Sequence, residues 1–248
     1  MNEREIIFQK YTILSGEGII ISYFFLVLYG LWQIKNIKMP LRIFFYYILA
    51  TLLINLLEHG FIWGTRLSTY YHVFKPFLEY WQISNTFFLN ILYYLKNTIF
   101  LGWFFIELIP PISKQLKILV FFTIIFEIII YLFVDGYQNY GNVNPPFDAL
   151  FCFALPFLYL WYLYRSPFLT RITLYKNSFF WISLGLIMEN LTGILYFFVA
   201  DKVYDTDFIL YSTLSIGKNV VLFIAIILFA LAFYNTNLAK FLSSKEEK

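Results

Sequence analysis

Residues 77–108 read FLEYWQISNTFFLNILYYLKNTIFLGWFFIEL. On a helical wheel of about 100° per residue, Glu79, Gln82, Thr86, Asn90, Tyr93 and Asn97 fall within an arc of about 80°, and Glu107 lands beside them. Most other positions are Phe, Leu, Ile, Trp or Tyr. A helix that is apolar on three sides cannot turn its polar fourth side to lipid, where nothing satisfies a polar group. The stripe must face other helices or a polar cavity, as a packing seam or as a binding site.

The rest of the chain has the same character. Of its 248 residues 60% are hydrophobic and 13% charged, against about 25% charged in a soluble domain. Mean hydropathy is +0.70. Crossing a ~30 Å hydrocarbon layer takes ~20 apolar residues. Seven spans can be read: Gly18–Gln33, Leu41–Trp63, Pro76–Pro110, Leu116–Phe133, Phe147–Tyr164, Ser178–Val199 and Phe208–Phe233. The expected fold is all-α, a polytopic membrane bundle of seven transmembrane helices. Residues 1–16 form an N-terminal surface segment, 17–235 the transmembrane domain and 236–248 a tail too short for a core of its own. The first apolar run lacks the basic lead and small-residue cleavage site of a signal peptide.

Basic residues orient the bundle. The odd-numbered loops and the tail carry twelve: Lys35, Lys38, Arg42, Lys96, Lys114, Lys117, Arg165, Arg171, Lys176, Lys240, Lys245 and Lys248. The amino end and even-numbered loops carry five: Arg4, Lys10, Arg66, Lys75 and Lys202. The positive-inside rule then places the N-terminus outside and the C-terminus in the cytoplasm. Lys96 is counted here as marking the edge of the lipid core, while the apolar IFLGWFFIEL beyond it argues the opposite. The basic residues are spread out, so nucleic acid is not an expected partner.

An unpaired charge inside a span costs at least ~2.5 kcal/mol, so each such residue is a candidate functional group. Glu127, Glu189 and Lys218 fall near mid-depth and form an expected buried charge network, with Lys218 paired to Glu189 or Glu127. Glu58 and His59 lie nearer the outer side, and with Glu79, Gln82, Thr86 and Asn90 they make up the expected ligand-binding set. His59 and His72 are the only histidines, too few for a convincing zinc site with Glu58 and Glu79. Neither a G-x-S-x-G elbow nor a phosphate-binding glycine loop occurs, so no residue is assigned as catalytic, as a metal ligand or to a cofactor. Lys218 in a seventh helix invites comparison with retinal proteins, but the third span lacks their arginine and paired acids. The two halves share no repeat of the kind inverted-repeat transporters show.

Three stretches carry a wider resemblance: MPLRIFFYYIL, YYHVFKPFLEYWQISNTFF and KNSFFWISLGLIMENLTGILYFF. They resemble a loosely characterised group of bacterial seven-helix membrane proteins, through His72 ahead of Glu79 and through Phe180-Trp181-Ile182 at the start of the sixth helix. The resemblance implies residence in the bacterial inner membrane and a sensory association, often with histidine kinases. A catalytic kinase domain is not recognisable, so a signal passes to a separate histidine kinase or other membrane signalling protein. The expectation is a non-enzymatic sensor or accessory module surrounded by membrane lipid and binding a small or lipid-like ligand. The rival expectations are a proton- or ion-coupled transporter using Glu79, Glu127, Glu189 and Lys218, and then an intramembrane enzyme.

Overall fold

The computed structural model describes residues 3–37, 39–66, 68–83, 86–136, 143–165, 177–204 and 206–235. Seven helices are long and apolar enough to cross a membrane: Arg4–Gln33, Leu41–Thr65, Phe87–Leu108, Pro110–Asp135, Asn144–Arg165, Ser178–Val199 and Phe208–Tyr234. The described residues form helices and no strand. The chain is an all-α seven-helix bundle and a multi-pass membrane protein. The tail 236–248, Lys38, Arg171 and Lys176 lie outside the described residues.

The first helix runs Glu3–Gln33, 31 residues. Residues 3–16, expected as a surface segment, are therefore helical and continuous with the first span. At ~1.5 Å per residue this helix outruns a ~30 Å layer and extends beyond it.

The third span departs most from the sequence reading. The stretch Pro76–Pro110 is too long for one crossing and reads as a helix that tilts, kinks or continues beyond the surface; the chain instead makes two helices. Pro76 lies inside a short helix, Ser68–Tyr80. That helix ends in a Schellman turn: Ile83 N donates to Leu78 O at 2.9 Å and Gln82 N to Glu79 O at 3.3 Å. The turn puts Gln82 at φ 52°, a left-handed conformation usually given to glycine. The membrane span begins afresh at Phe87. It opens with a 3-10 turn, Phe87–Leu89, runs as α-helix over Asn90–Lys96, widens to a π turn over Asn97–Leu101, and ends as α-helix over Gly102–Leu108.

Two consequences follow. The phase linking Glu79 and Gln82 to the rest of the stripe is lost. Lys96, read as a marker of the lipid edge, lies near the middle of the span and is only 8% exposed. Without it, the twelve basic residues of the odd-numbered loops and tail become eleven.

The short helix folds back on its neighbours. Phe74 lies where a Cβ on Gly64 would sit, 2.5 Å away. Phe61 stacks edge-on against both Phe74 and Phe88, and Phe77 against Phe88. The helix is thus held against the adjoining ends of the second and third spans.

Lipid tails are as apolar as leucine, so membrane helices associate through close packing rather than escape from water. Glycine permits the approach where rings or branches need the space: a Cβ at Gly185 would meet Phe229 at 2.5 Å, and one at Gly102 would meet Val120 at 2.5 Å. The sixth and seventh spans pack together, as their short connection predicts, and the first lies against the seventh. The third span touches the second, fourth and fifth.

The bundle is asymmetric along its length. At the end where the second span begins, Leu41, Phe44, Phe45, Ile48, Leu101, Phe104, Phe105, Phe229 and Phe233 are at most 1% exposed. The Phe44 ring lies 5.4 Å from Phe104, 5.0 Å from Phe229 and 6.2 Å from Phe233, so three spans meet in one layer of rings. The opposite half, toward Glu58 and the end of the second span, holds the polar groups. Outward faces carry side chains such as Phe25, Phe121, Phe122 and Phe133, each at least 60% exposed, surfaces suited to acyl chains.

Candidate functional site

At the Glu58 end, two spans share a compact cluster. Glu58 Oε1 accepts from Thr86 Oγ1 at 2.8 Å, and Glu58 Oε2 accepts from Tyr93 Oη at 2.8 Å. Tyr93 Oη also lies 2.9 Å from Asn55 Oδ1. A phenol has one proton and cannot donate to both oxygens. Turning the Asn55 amide satisfies every group: its Nδ2 donates to the phenol, which donates to Glu58. Asn55 and Glu58 meet because they are three apart on one helix.

Deeper in, Lys96, Asn97 and Thr98 point at three different spans. Lys96 Nζ donates to Thr51 Oγ1 of the second span at 3.0 Å and lies over the Tyr47 ring, 4.5 Å from its centre, with Tyr93 at 5.7 Å. Asn97 Nδ2 donates to Asp148 Oδ2 of the fifth at 2.7 Å. Thr98 Oγ1 donates to Glu127 Oε1 of the fourth at 2.6 Å. Consecutive helical side chains are about 100° apart, so only a helix with neighbours on three sides can commit three in a row. The π turn begins within this triplet, and such turns recur at functional sites. Lys96 makes no ion pair within 4.0 Å among the described residues. Desolvated stacking on tyrosine, worth about 2 kcal/mol, offsets part of its burial, and Asp148 and Glu189 act on it from further away.

The fifth span contributes the aligned face Asp148, Cys152, Pro156 and Tyr159, all buried. Cys152 Sγ lies 3.6 Å from Asp148 Oδ1. Asn144, at the start of this helix, donates through Nδ2 to the Glu127 backbone oxygen at 3.0 Å. Its own amide nitrogen donates to Asp135 at 2.8 Å, and that of Val143 does so at 3.1 Å.

The expected charge network is only partly drawn together. Glu127, 0% exposed, turns to Thr98 and away from the expected pairing with Lys218. The charges of Lys96 and Lys218 both act on Glu189. Neither forms an ion pair with it within 4.0 Å among the described residues, so the expected Glu189–Lys218 salt bridge is corrected to a longer-range interaction. Lys218 sits over the Tyr196 ring at 4.8 Å, and Tyr196 Oη shares a 2.8 Å hydrogen bond with Ser215. Beside Lys218, Asn219 Nδ2 donates to Ser15 Oγ of the first span at 2.8 Å.

The expected ligand-binding set divides. Glu58 and Thr86 meet directly, and Asn90 is half-buried on the same span. Glu79 and Gln82 belong to the short helix and its terminal turn. Glu79 is 66% exposed and 3.7 Å from Lys75, a surface pair of small stabilising effect. His59 and His72 are exposed, as is Glu107, which accepts from Trp103 at 3.3 Å. Among the described residues no three His, Cys, Asp or Glu side chains gather as metal ligands.

Lys96 and Asn144 were misplaced by sequence reasoning, one at the lipid edge and the other in a loop. For Lys96 the missed signal was its neighbour: Asn97 already stood in the polar stripe. The arrangement holds and positions charge. No family model matches the chain, and neither a curated protein nor a solved structure is detectably similar to it.

Proposed function

We propose that this chain is a non-enzymatic sensor or accessory signalling module of the bacterial inner membrane, with its N-terminus outside. One observation carries the reading. Polar groups run from Glu58, Thr86 and Tyr93 to Lys96, Asp148 and Glu127, and then give way to the closed layer of Phe44, Phe104, Phe229 and Phe233. A track that is polar from one face and blind at mid-bundle suits a ligand that arrives and leaves on the same side. The count of eleven basic residues against five supports an outward-facing position for that side. A small polar ligand meets Glu58, Thr86, Tyr93 and Asn55, and the basic loops beyond the aromatic layer meet a histidine kinase or other membrane signalling protein.

Ion-coupled transport is the rival reading, favoured by the ionisable groups on six spans, Glu58, Lys96, Glu127, Asp148, Glu189 and Lys218. It requires the ring layer to open. Proteoliposomes loaded with a pH-sensitive dye separate the two: the wild-type protein is expected to pass no protons under an imposed gradient. A flux abolished by Glu58→Gln or Glu127→Gln would overturn the sensor reading.

A further inference from the structure

A ring of contacts closes around Glu127. Asn144 holds the Glu127 backbone, Thr98 holds its carboxylate, Asn97 beside Thr98 holds Asp148, and Asp148 lies one turn from Asn144 on the same helix. Among the described residues, three oxygens of this ring have no hydrogen-bond partner, and none of the three is in contact with solvent: Glu127 Oε2, Asn97 Oδ1 and Asn144 Oδ1. Glu127 and Asn144 are each 0% exposed. The Asn144 amide orientation is fixed because its Nδ2 faces the Glu127 carbonyl, and that of Asn97 is fixed where the Asp148 carboxylate is ionised and can only accept. All three unpartnered atoms are therefore acceptors, and a buried acceptor without a partner is costly.

Charge points the same way. The middle of the bundle holds three carboxylates, Glu127, Asp148 and Glu189, against two ammonium groups, Lys96 and Lys218. The charges of Asp148 and Glu189 act on Lys96 and that of Glu189 on Lys218, while among the described residues the only charge acting on Glu127 is that of Asp148. Fully ionised, the group is one positive charge short. A water molecule supplies donors but no charge; a proton supplies charge but a single donor. A small cation meets both needs, and carboxylate with amide oxygens is the donor set of hard cations.

We propose that Glu127, Asp148, Asn97 and Asn144 form an oxygen-lined site for one hard monovalent cation, sodium. The proposal does not require that the chain signal, so it stands or falls separately from the sensor reading. The purified full chain in detergent is heated in sodium chloride or in choline chloride at equal ionic strength. Sodium is expected to raise Tm with the logarithm of its concentration above the dissociation constant, by about 5–10 °C at a hundred times that constant. Glu127→Gln keeps the shape and the Thr98 contact but removes the charge, and is expected to lose the sodium response while unfolding in choline at or above the wild-type temperature. Should Glu127→Gln not fold, Asn97→Ala, at a half-buried position of the same ring, is expected to weaken the response at least tenfold in sodium concentration. Direct binding of radioactive sodium to the wild-type protein reads the same site without a variant. No difference between sodium and choline, a response retained in both variants, or a response to calcium in place of sodium would each overturn the proposal.

Discussion

Lys96 shows how one residue type changes meaning with depth. At a membrane edge a lysine extends its ammonium to the headgroups; at mid-span it needs a prepared setting. Here two tyrosine faces and the Thr51 hydroxyl supply it. The ammonium also offsets Asp148 and Glu189, with no ion pair to either within 4.0 Å. Lys96→Met leaves those carboxylates less compensated and is expected to cost about 2–4 kcal/mol in reversible unfolding in mixed micelles. Glu189→Gln in the same chain is expected to return at least about 1 kcal/mol of that loss. Strict additivity of the two changes would show that their charges do not communicate.

At the scale of elements, one turn decides what was legible. Six of the seven spans can be read from runs of apolar residues because lipid enforces them over the full length of a helix. The break at Gln82 was not legible: stop signals at helix ends are read from glycine and proline, and here a glutamine takes the left-handed position. That single omission joined Glu79 to the wrong helix and pushed Lys96 toward the lipid edge. The π turn at Asn97–Leu101 was equally hidden, since widening by one residue leaves no mark in hydrophobic spacing. By contrast, the face Asp148, Cys152, Pro156 and Tyr159 follows ordinary helical spacing and is buried as a unit. Relieving the strained position tests the account of the break. Gln82→Gly is expected to stabilise the protein by about 1 kcal/mol, and Gln82→Val to destabilise it by a similar amount, in the same unfolding assay. Equal effects of the two would mean that the turn is not left-handed there.

Across the whole molecule, orientation depends on charge in the loops. Cys152 is the single cysteine and is 1% exposed, so introduced cysteines report against a low background. In intact bacterial cells, Thr206→Cys is expected to react with a membrane-impermeant maleimide, and Ser244→Cys only after the membrane is opened. The reverse pattern would turn the bundle over and put the polar half on the cytoplasmic side. The approximate places of the spans and the neighbouring positions of the sixth and seventh were readable in advance. The partners of individual charges were not, because wheel position gives the face of a helix but not the helix it meets.

The layer of rings around Phe44 acts like the cord on a bouquet. Stems bound at one end cannot slide past one another, so in the proposed sensor a ligand among the heads is expected to register beyond the knot as a change of angle.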